Sequence, residues 1–442
     1  MAATTPNEGR ATRIALFSFR TPQMRAFHLT WMAFFVCFFG WFACAPLMPM
    51  LRGEFGLTPD QVANINIAAV AVTILVRLII GPLCDRYGPR KAYTGLLTLG
   101  AIPVLGVALA QNYETFLFFR LLIGAIGASF VITQYHTSVM FAPNVVGTAN
   151  AASAGWGNAG GGAAQALMPL VLAGVLMLGV SETLGWRVAL MVPGVAMLVM
   201  AVAYWRYTQD CPQGNYAELR AQGVAIEGGK KGGWASFVAA SRNYRVWLLF
   251  VTYGACFGIE IFIHNVAATY YVDRFGLSLK AAGLAAASFG LLALFARALG
   301  GWLSDKVALR RGLDARSMLL FALILGEGLG LLWFSQASSV TLAVVAMLAF
   351  GLFTHMACGA TYALVPFIDR KALGGVSGII GAGGNAGAVA AGFLMKGLGN
   401  LQQTLMVLGV LATLSALCAI AVRFSAEHKA REQALLDSAL AS

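Results

Sequence analysis

Apolar runs and short polar breaks alternate along the whole chain. Twelve runs, at roughly 28–51, 60–83, 92–110, 115–140, 148–178, 187–205, 246–272, 281–303, 317–336, 339–367, 373–395 and 401–422, are almost uniformly apolar. Each is about 20–30 residues long, and about 20 is what an α-helix needs to cross a bilayer core of about 30 Å. The pattern predicts an all-α membrane protein. The longest polar segment, 206–245, separates the sixth and seventh runs. It contains Gly228, Gly229, Lys230, Lys231, Gly232 and Gly233, the composition of a flexible linker. The chain therefore divides into an N-terminal segment (1–27), a six-helix half (28–205), the linker (206–245), a second six-helix half (246–422) and a tail (423–442).

Composition agrees: 59 % of residues are hydrophobic and 11 % charged, against roughly 25 % charged in a soluble domain. The net charge of +12 could point to nucleic acid, but its distribution argues otherwise. Placing the N-terminus in the cytoplasm leaves Arg52, Arg187, Arg274, Lys280 and Lys396 outside and Arg77, Arg120 and Arg297 within spans. All the other Lys and Arg residues then face the cytoplasm, as the positive-inside rule requires. Both termini are thus expected inside, in a multi-pass protein of the cell inner (plasma) membrane, with the lipid bilayer and no nucleic acid as partner. No cleavable signal peptide is expected, because residues 1–27 are polar and basic. Seven cysteines without a CxxC pair give no disulfide or metal framework, and no cofactor motif occurs.

The two halves repeat one another. The second span reads Arg77-Leu-Ile-Ile-Gly81-Pro-Leu-Cys-Asp85-Arg86, and the eighth reads Arg297-Ala-Leu-Gly-Gly301-Trp-Leu-Ser-Asp305-Lys306. Asp85 and Asp305 begin basic loops and so mark the inner membrane face. Eight residues back along a helix places each arginine about 12 Å inside, too deep for easy snorkelling. A permanent cation at that depth usually marks a substrate path. The alternative is an arginine paired to a buried acid, and the only acids within spans are Glu260 and Glu327. Two planar forks that never lose their charge suit a small planar anion with several acceptor oxygens. Arg120 lies two turns from the outer end of its span, where it could snorkel outward.

A second repeat lies in the fifth and eleventh spans: Gly155-Trp156-Gly157-Asn158-Ala159-Gly160-Gly161-Gly162 and Gly381-Ala382-Gly383-Gly384-Asn385-Ala386-Gly387. Small residues at this spacing let helices pack closely anywhere in a membrane. Packing does not explain an asparagine in each cluster, which is costly in lipid without partners. Asn158 and Asn385, with Gly157, Gly160, Gly384 and Gly387, are therefore candidate binding residues. Glu260 lies well inside the seventh span, as a carrier of a coupling proton or as an acid hydrogen-bonded to a neighbouring helix. Glu327, between Gly326 and Gly328, reads as structural.

The loop from Gly81 to Lys91 (Gly-Pro-Leu-Cys-Asp85-Arg86-Tyr-Gly88-Pro89-Arg90-Lys91) resembles the signature loop of the major facilitator superfamily. The resemblance implies that fold, with twelve transmembrane helices in two pseudo-symmetric halves, and a gating role for Asp85, Arg86, Asp305 and Lys306. The paired glycine–asparagine clusters, with Phe295-Ala-Arg297-Ala-Leu-Gly-Gly-Trp-Leu-Ser-Asp305, are similar to the nitrate/nitrite porter family within it. That resemblance covers nearly all twelve spans. It implies that Arg77 and Arg297 clamp the anion and that aromatic rings of the fourth and seventh spans stack on it. Phe130 and Tyr253 are the positional matches. His136, beside Tyr135 and Thr137, and His355 and Cys358 in the tenth span depart from the family pattern, which bears on substrate choice more than on fold.

The resulting expectation is a transporter, not an enzyme: a secondary carrier of nitrate and/or nitrite, serving nitrate assimilation by alternating access, as a monomer. Two buried guanidinium groups should make the empty carrier reorient poorly. Proton-coupled symport through Glu260 and nitrate/nitrite exchange both answer that constraint, with symport preferred. A carrier of another small anion such as a monocarboxylate is the alternative within transporters. A nitrate receptor is disfavoured because the linker and tail are too short for a signalling domain.

Overall fold

The computed structural model of the chain describes residues 9–142, 145–224, 233–369 and 373–430. Among them, twelve helices are long and apolar enough to cross a membrane. In chain order the spans are Pro22–Glu54, Pro59–Arg77, Pro89–Leu109, Tyr113–Met140, Thr148–Met177 and Glu182–Tyr207, then Tyr244–Phe275, Leu279–Arg311, Asp314–Ser335, Val340–Leu364, Gly375–Leu398 and Leu401–Ala421. The second belongs to a helix that continues to Tyr87. Isolated bridges at Ala11–Phe141 and Cys211–Gly214 supply the β-type pairing among the described residues.

The helix starts are written in the sequence. Thr58 and Gln61 cap each other reciprocally ahead of Pro59, at 2.9 and 3.3 Å. Asn112, Ser278, Ser339 and Asn400 each accept a hydrogen bond from the backbone N–H three residues on. Such caps satisfy donors that a helix end leaves without an internal partner. The fourth span is broken: an α-helix to Ile123 gives way to a 3₁₀ turn at Gly124–Ala128 and resumes at Ser129.

Two compact units result, Met1–Lys230 with His264–Leu294, and Lys231–Ile263 with Phe295–Ser442. In the first, the fifth span packs on the first and on the start of the eighth. A Cβ at Gly157 would overlap the Phe34 ring, at Gly160 the Phe35 carbonyl oxygen, and at Gly162 the Gly290 backbone. In the second unit the eleventh span approaches the seventh in the same way, Gly383 against the Phe250 carbonyl and Gly387 against that of Gly254. The eighth and tenth spans touch backbone to backbone, Gly300 on Met356 and Gly359 on Arg297. The glycine clusters are thus contact surfaces for neighbouring helices, which is what small residues do in membrane bundles.

The polar segment 206–245 carries structure at both ends. Thr208–Val224 folds against the first unit, with a helix at Tyr216–Ala221 and Cys211, Tyr216 and Leu219 packed on Val139. A helix at Gly233–Ser241 precedes the seventh span. The run from Gly228 to Gly232, read as the flexible part, lies outside the described residues.

The backbone contacts predict a sharp contrast among glycine variants. Gly160→Ala and Gly387→Ala should each cost about 1–3 kcal/mol through overpacking. Gly174→Ala, on the same helix as Gly160 but with no atom within 4 Å, should be neutral. Size-exclusion profiles after graded heating measure this; equal midpoints for all three would show that the helices separate without cost.

Candidate functional site

In the first unit Arg77 faces the break in the fourth span. The 3₁₀ turn frees carbonyls from the α-helical ladder, and two side chains one turn apart on the second-span helix take them. Thr73 donates to the Gly124 carbonyl at 2.6 Å and Arg77 Nη2 to that of Gly127 at 3.2 Å. Neither glycine has room for a side chain: a Cβ at Gly124 would meet the Ala69 carbonyl, and one at Gly127 the Trp41 indole. The half-buried Arg77 guanidinium lies 5.6 Å from the centroid of the Phe130 ring, which leans on Phe34 at 5.8 Å. The structure therefore brings Phe130 to Arg77.

In the second unit Arg297 is buried, 6 % exposed, and its Nη2 meets Glu260 Oε2 at 2.5 Å; Glu260 is 1 % exposed. His355 Nδ1 lies 3.4 Å and Cys358 Sγ 3.6 Å from the same oxygen. The Phe257 ring centroid is 5.3 Å from the Arg297 guanidinium carbon. Phe257 stacks on Tyr253 at 5.1 Å and 17°, and Tyr362 meets Tyr253 edge-on. A Cβ at Gly384 would overlap Phe257 and crowd Tyr253, so this glycine makes room for the ring pair. The sequence offered pairing to a buried acid as the alternative for both arginines; Arg297 has that pairing. Its charge is balanced by Glu260, so the expected penalty of an uncompensated guanidinium does not arise in this unit.

The two asparagines sit alike. Asn158 Nδ2 donates to the Ala154 carbonyl at 2.9 Å, and Asn385 Nδ2 to that of Gly381 at 3.3 Å. Both are buried, and neither Oδ1 has a hydrogen-bond partner among the described residues. Each Nδ2 keeps a second N–H beyond its bond to its own helix.

Arg120 does not snorkel. It is 1 % exposed and donates to the Trp41 carbonyl at 2.9 Å and to Asn265 Oδ1 at 3.3 Å, all within the first unit. His136 is a packing residue: Nδ1 contacts the Tyr204 hydroxyl at 2.5 Å and Nε2 the Gln209 carbonyl at 2.8 Å. Of the four residues proposed for gating, Asp305 bonds Arg316 at 2.6 Å and Lys306 lies 4.5 Å from the Trp302 ring centroid. Arg86 lies beside the Tyr87 ring, and its carbonyl accepts from Arg220. The side chain of Asp85 lies outside the described residues.

Two residues were missed. Phe257 follows Tyr253 by one helical turn, the spacing at which rings on one face meet, and that spacing could have found it. Asp210 is buried and accepts from the backbone N–H of Arg90 at 2.8 Å and of Tyr216 at 2.9 Å. It fills the space where Gly88, at φ +88°, would carry a side chain. An acid just beyond the sixth span, able to meet the start of the third-span helix at Pro89, was the available signal.

Comparison with known proteins places this arrangement. The sequence profile of the Major Facilitator Superfamily matches residues 30–368. A bacterial homologue of the human lysosomal transporter Spinster superposes with a TM-score of 0.68 over 92 % of this chain and 99 % of its own, at 16 % identity. The nucleoside transporter NupG gives 0.65 over 90 % and 99 %, at 12 %. These define the class, a twelve-helix carrier of the major facilitator type. Two curated relatives carry more sequence. "High affinity nitrate transporter 2.5" of Arabidopsis thaliana is 41 % identical over 86 % of this chain and 76 % of its own. "Nitrate/nitrite transporter NrtP" of Nostoc punctiforme is 28 % identical over 85 % and 87 %. The chain belongs to the nitrate/nitrite porter family of that superfamily, a family of carriers and not of enzymes.

Burial of Asp210 predicts that the fold of the loop end depends on pH. Burial pushes its carboxyl up, while the N–H groups of Tyr216 and Arg90 pull it down; burial wins. A value raised in the folded state stabilises fully below the unfolded value and is lost as pH rises through the raised one. Asp210→Asn cannot ionise. Wild type should therefore lose thermal midpoint relative to Asp210→Asn as pH rises from about 4 to about 7. A constant difference across that range would refute the assignment.

Proposed function

We propose that the protein carries nitrate, and nitrite, across the plasma membrane by alternating access, coupled to protons, as a monomer with both termini in the cytoplasm. The observation that carries this reading is an arginine beside aromatic rings in each unit: Arg77 with Phe130, and Arg297 with Phe257 and Tyr253. A guanidinium fork matches a planar oxyanion, and the rings offer it a flat, weakly polar wall. Asn158 and Asn385 each add an amide N–H. Gly157, Gly160, Gly384 and Gly387 serve the same sites by letting the helices that carry these groups come close. The names of the curated relatives, nitrate transporters and nitrate/nitrite transporters, supply the substrate. Asp85, Arg86, Asp305 and Lys306 are assigned to closure on the cytoplasmic side.

The Glu260–Arg297 pair favours symport over obligate exchange. Without anion, Arg297 is neutralised by a carboxylate of its own unit, so the empty carrier can return. An incoming anion takes Arg297, and the displaced carboxylate needs a proton, because an unpaired charge in a low-dielectric interior costs several kcal/mol.

Two sets of variants test this in proteoliposomes with an imposed pH gradient. Arg77→Lys and Arg297→Lys keep the charge but lose the fork. Losing a charged hydrogen bond worth ~1.5–3 kcal/mol should cut anion affinity about tenfold or more. Near-normal affinity in either, at normal expression, would remove that arginine from the site. Glu260→Gln mimics the protonated acid. It should lose pH-driven nitrate accumulation and keep exchange of internal for external nitrate. Accumulation by this variant would take coupling away from Glu260, whereas a wild type indifferent to the gradient would be an exchanger.

A further inference from the structure

Three helices converge on one carboxylate oxygen. Glu260 Oε2, from the seventh span, lies 2.5 Å from Arg297 Nη2 of the eighth, and 3.4 Å from His355 Nδ1 and 3.6 Å from Cys358 Sγ of the tenth. Tyr253 and Cys256 lie earlier on the Glu260 helix, and Glu327 of the ninth span is within electrostatic reach. His355 is 0 % exposed.

The charges of this cluster can be counted through a transport cycle. Arg297 and Glu260 sum to zero. A monovalent anion on Arg297 makes the sum negative, and one proton restores it. We propose that Glu260 and His355 together are the proton-binding site, the proton lying between Glu260 Oε2 and His355 Nδ1 while the anion occupies Arg297. An O–H bond forms at Oε2 as the Arg297 contact breaks, and Nδ1 accepts the hydrogen bond that Oε2 then donates. The proton comes from one aqueous side and leaves to the other. His355 is a positioning residue: its Nδ1, 3.4 Å from Glu260 Oε2, accepts the hydrogen bond of the released carboxyl and so holds it in place. The inference rests on the symport reading above and adds the group that sets its pH range.

The test is nitrate binding to the purified full-length protein in lipid nanodiscs across pH. One proton taken up with each anion makes the wild-type dissociation constant rise about tenfold per pH unit above the midpoint. His355→Gln should keep affinity at low pH and move the midpoint to lower pH by about one unit or more, a tenfold effect at fixed pH. Glu260→Gln should bind independently of pH. If His355→Gln leaves midpoint and slope unchanged while Glu260→Gln abolishes the slope, the proton belongs to Glu260 alone; this inference fails and symport stands. If wild-type binding ignores pH, the coupling reading fails first and this one with it. His355→Asn replaces a poorly folded glutamine variant. Should neither fold, anion-induced infrared difference spectra of wild type with isotope-labelled histidine decide, and histidine bands that do not change would overturn the proposal.

Discussion

The ion pair between Arg297 and Glu260 is the constraint on which the second unit depends. Both groups are nearly inaccessible, and removing either partner from such a pair typically costs ~3–5 kcal/mol. The surroundings are consistent with a need to hold two side chains in register. Gly359 lets the tenth span touch the Arg297 carbonyl, and Gly300 lets the eighth touch that of Met356. The eleventh span brings glycines against the seventh, the helix that carries Glu260. Bulkier residues at these points would spread the helices and lengthen a 2.5 Å contact whose strength depends on being short. The packing glycines and the charged pair are parts of one arrangement.

The two arginines occupy equivalent places in a repeated motif, yet their neighbours differ. Arg77 leans on the carbonyl of Gly127, made available by a 3₁₀ break, whereas Arg297 meets a full carboxylate. A carbonyl dipole can give up a guanidinium at the cost of one hydrogen bond, about 1.5–3 kcal/mol when charged. A carboxylate cannot be abandoned so easily, because it is left as a buried charge. The repeat thus fixes where the cations lie, and the divergence between the halves sets what each of them meets.

Most of the fold was legible because hydrophobic run length and charge asymmetry act along the chain, without reference to tertiary contacts. The twelve runs and the repeat at Arg77 and Arg297 are of this kind. The resemblance named Phe130 and Tyr253 as rings that stack on the anion; the structure brings Phe130 to Arg77, and Tyr253 to Phe257 beside Arg297. The rest required contacts between distant segments. Pairing of Glu260 with Arg297 joins two helices through side chains, and pattern alone could only offer it as one of two alternatives. Arg120 near a span end looked able to reach water, but Trp41 and Asn265 hold it inside. Asp210 was missed because its partners are backbone N–H groups, so only its place just beyond the sixth span pointed to them. The segment 206–245 looked like linker throughout since Gly and Lys dominate its middle, yet Cys211, Tyr216 and Leu219 supply enough apolar surface to dock its first part.

Family resemblance and local chemistry contribute differently to the functional reading. The glycine–asparagine repeat led to the family, but its glycines turn out to face helix backbone and aromatic rings, so their direct effect is on spacing. Each asparagine uses one N–H on its own helix and retains another. In lipid such a group persists only where something polar meets it. An oxyanion would satisfy the donor, while the Oδ1 of each amide, without a partner among the described residues, calls for a donor in turn. A donor and an acceptor are left over on the same amide, at the same place in each repeat, so packing alone does not complete the hydrogen bonding of either asparagine.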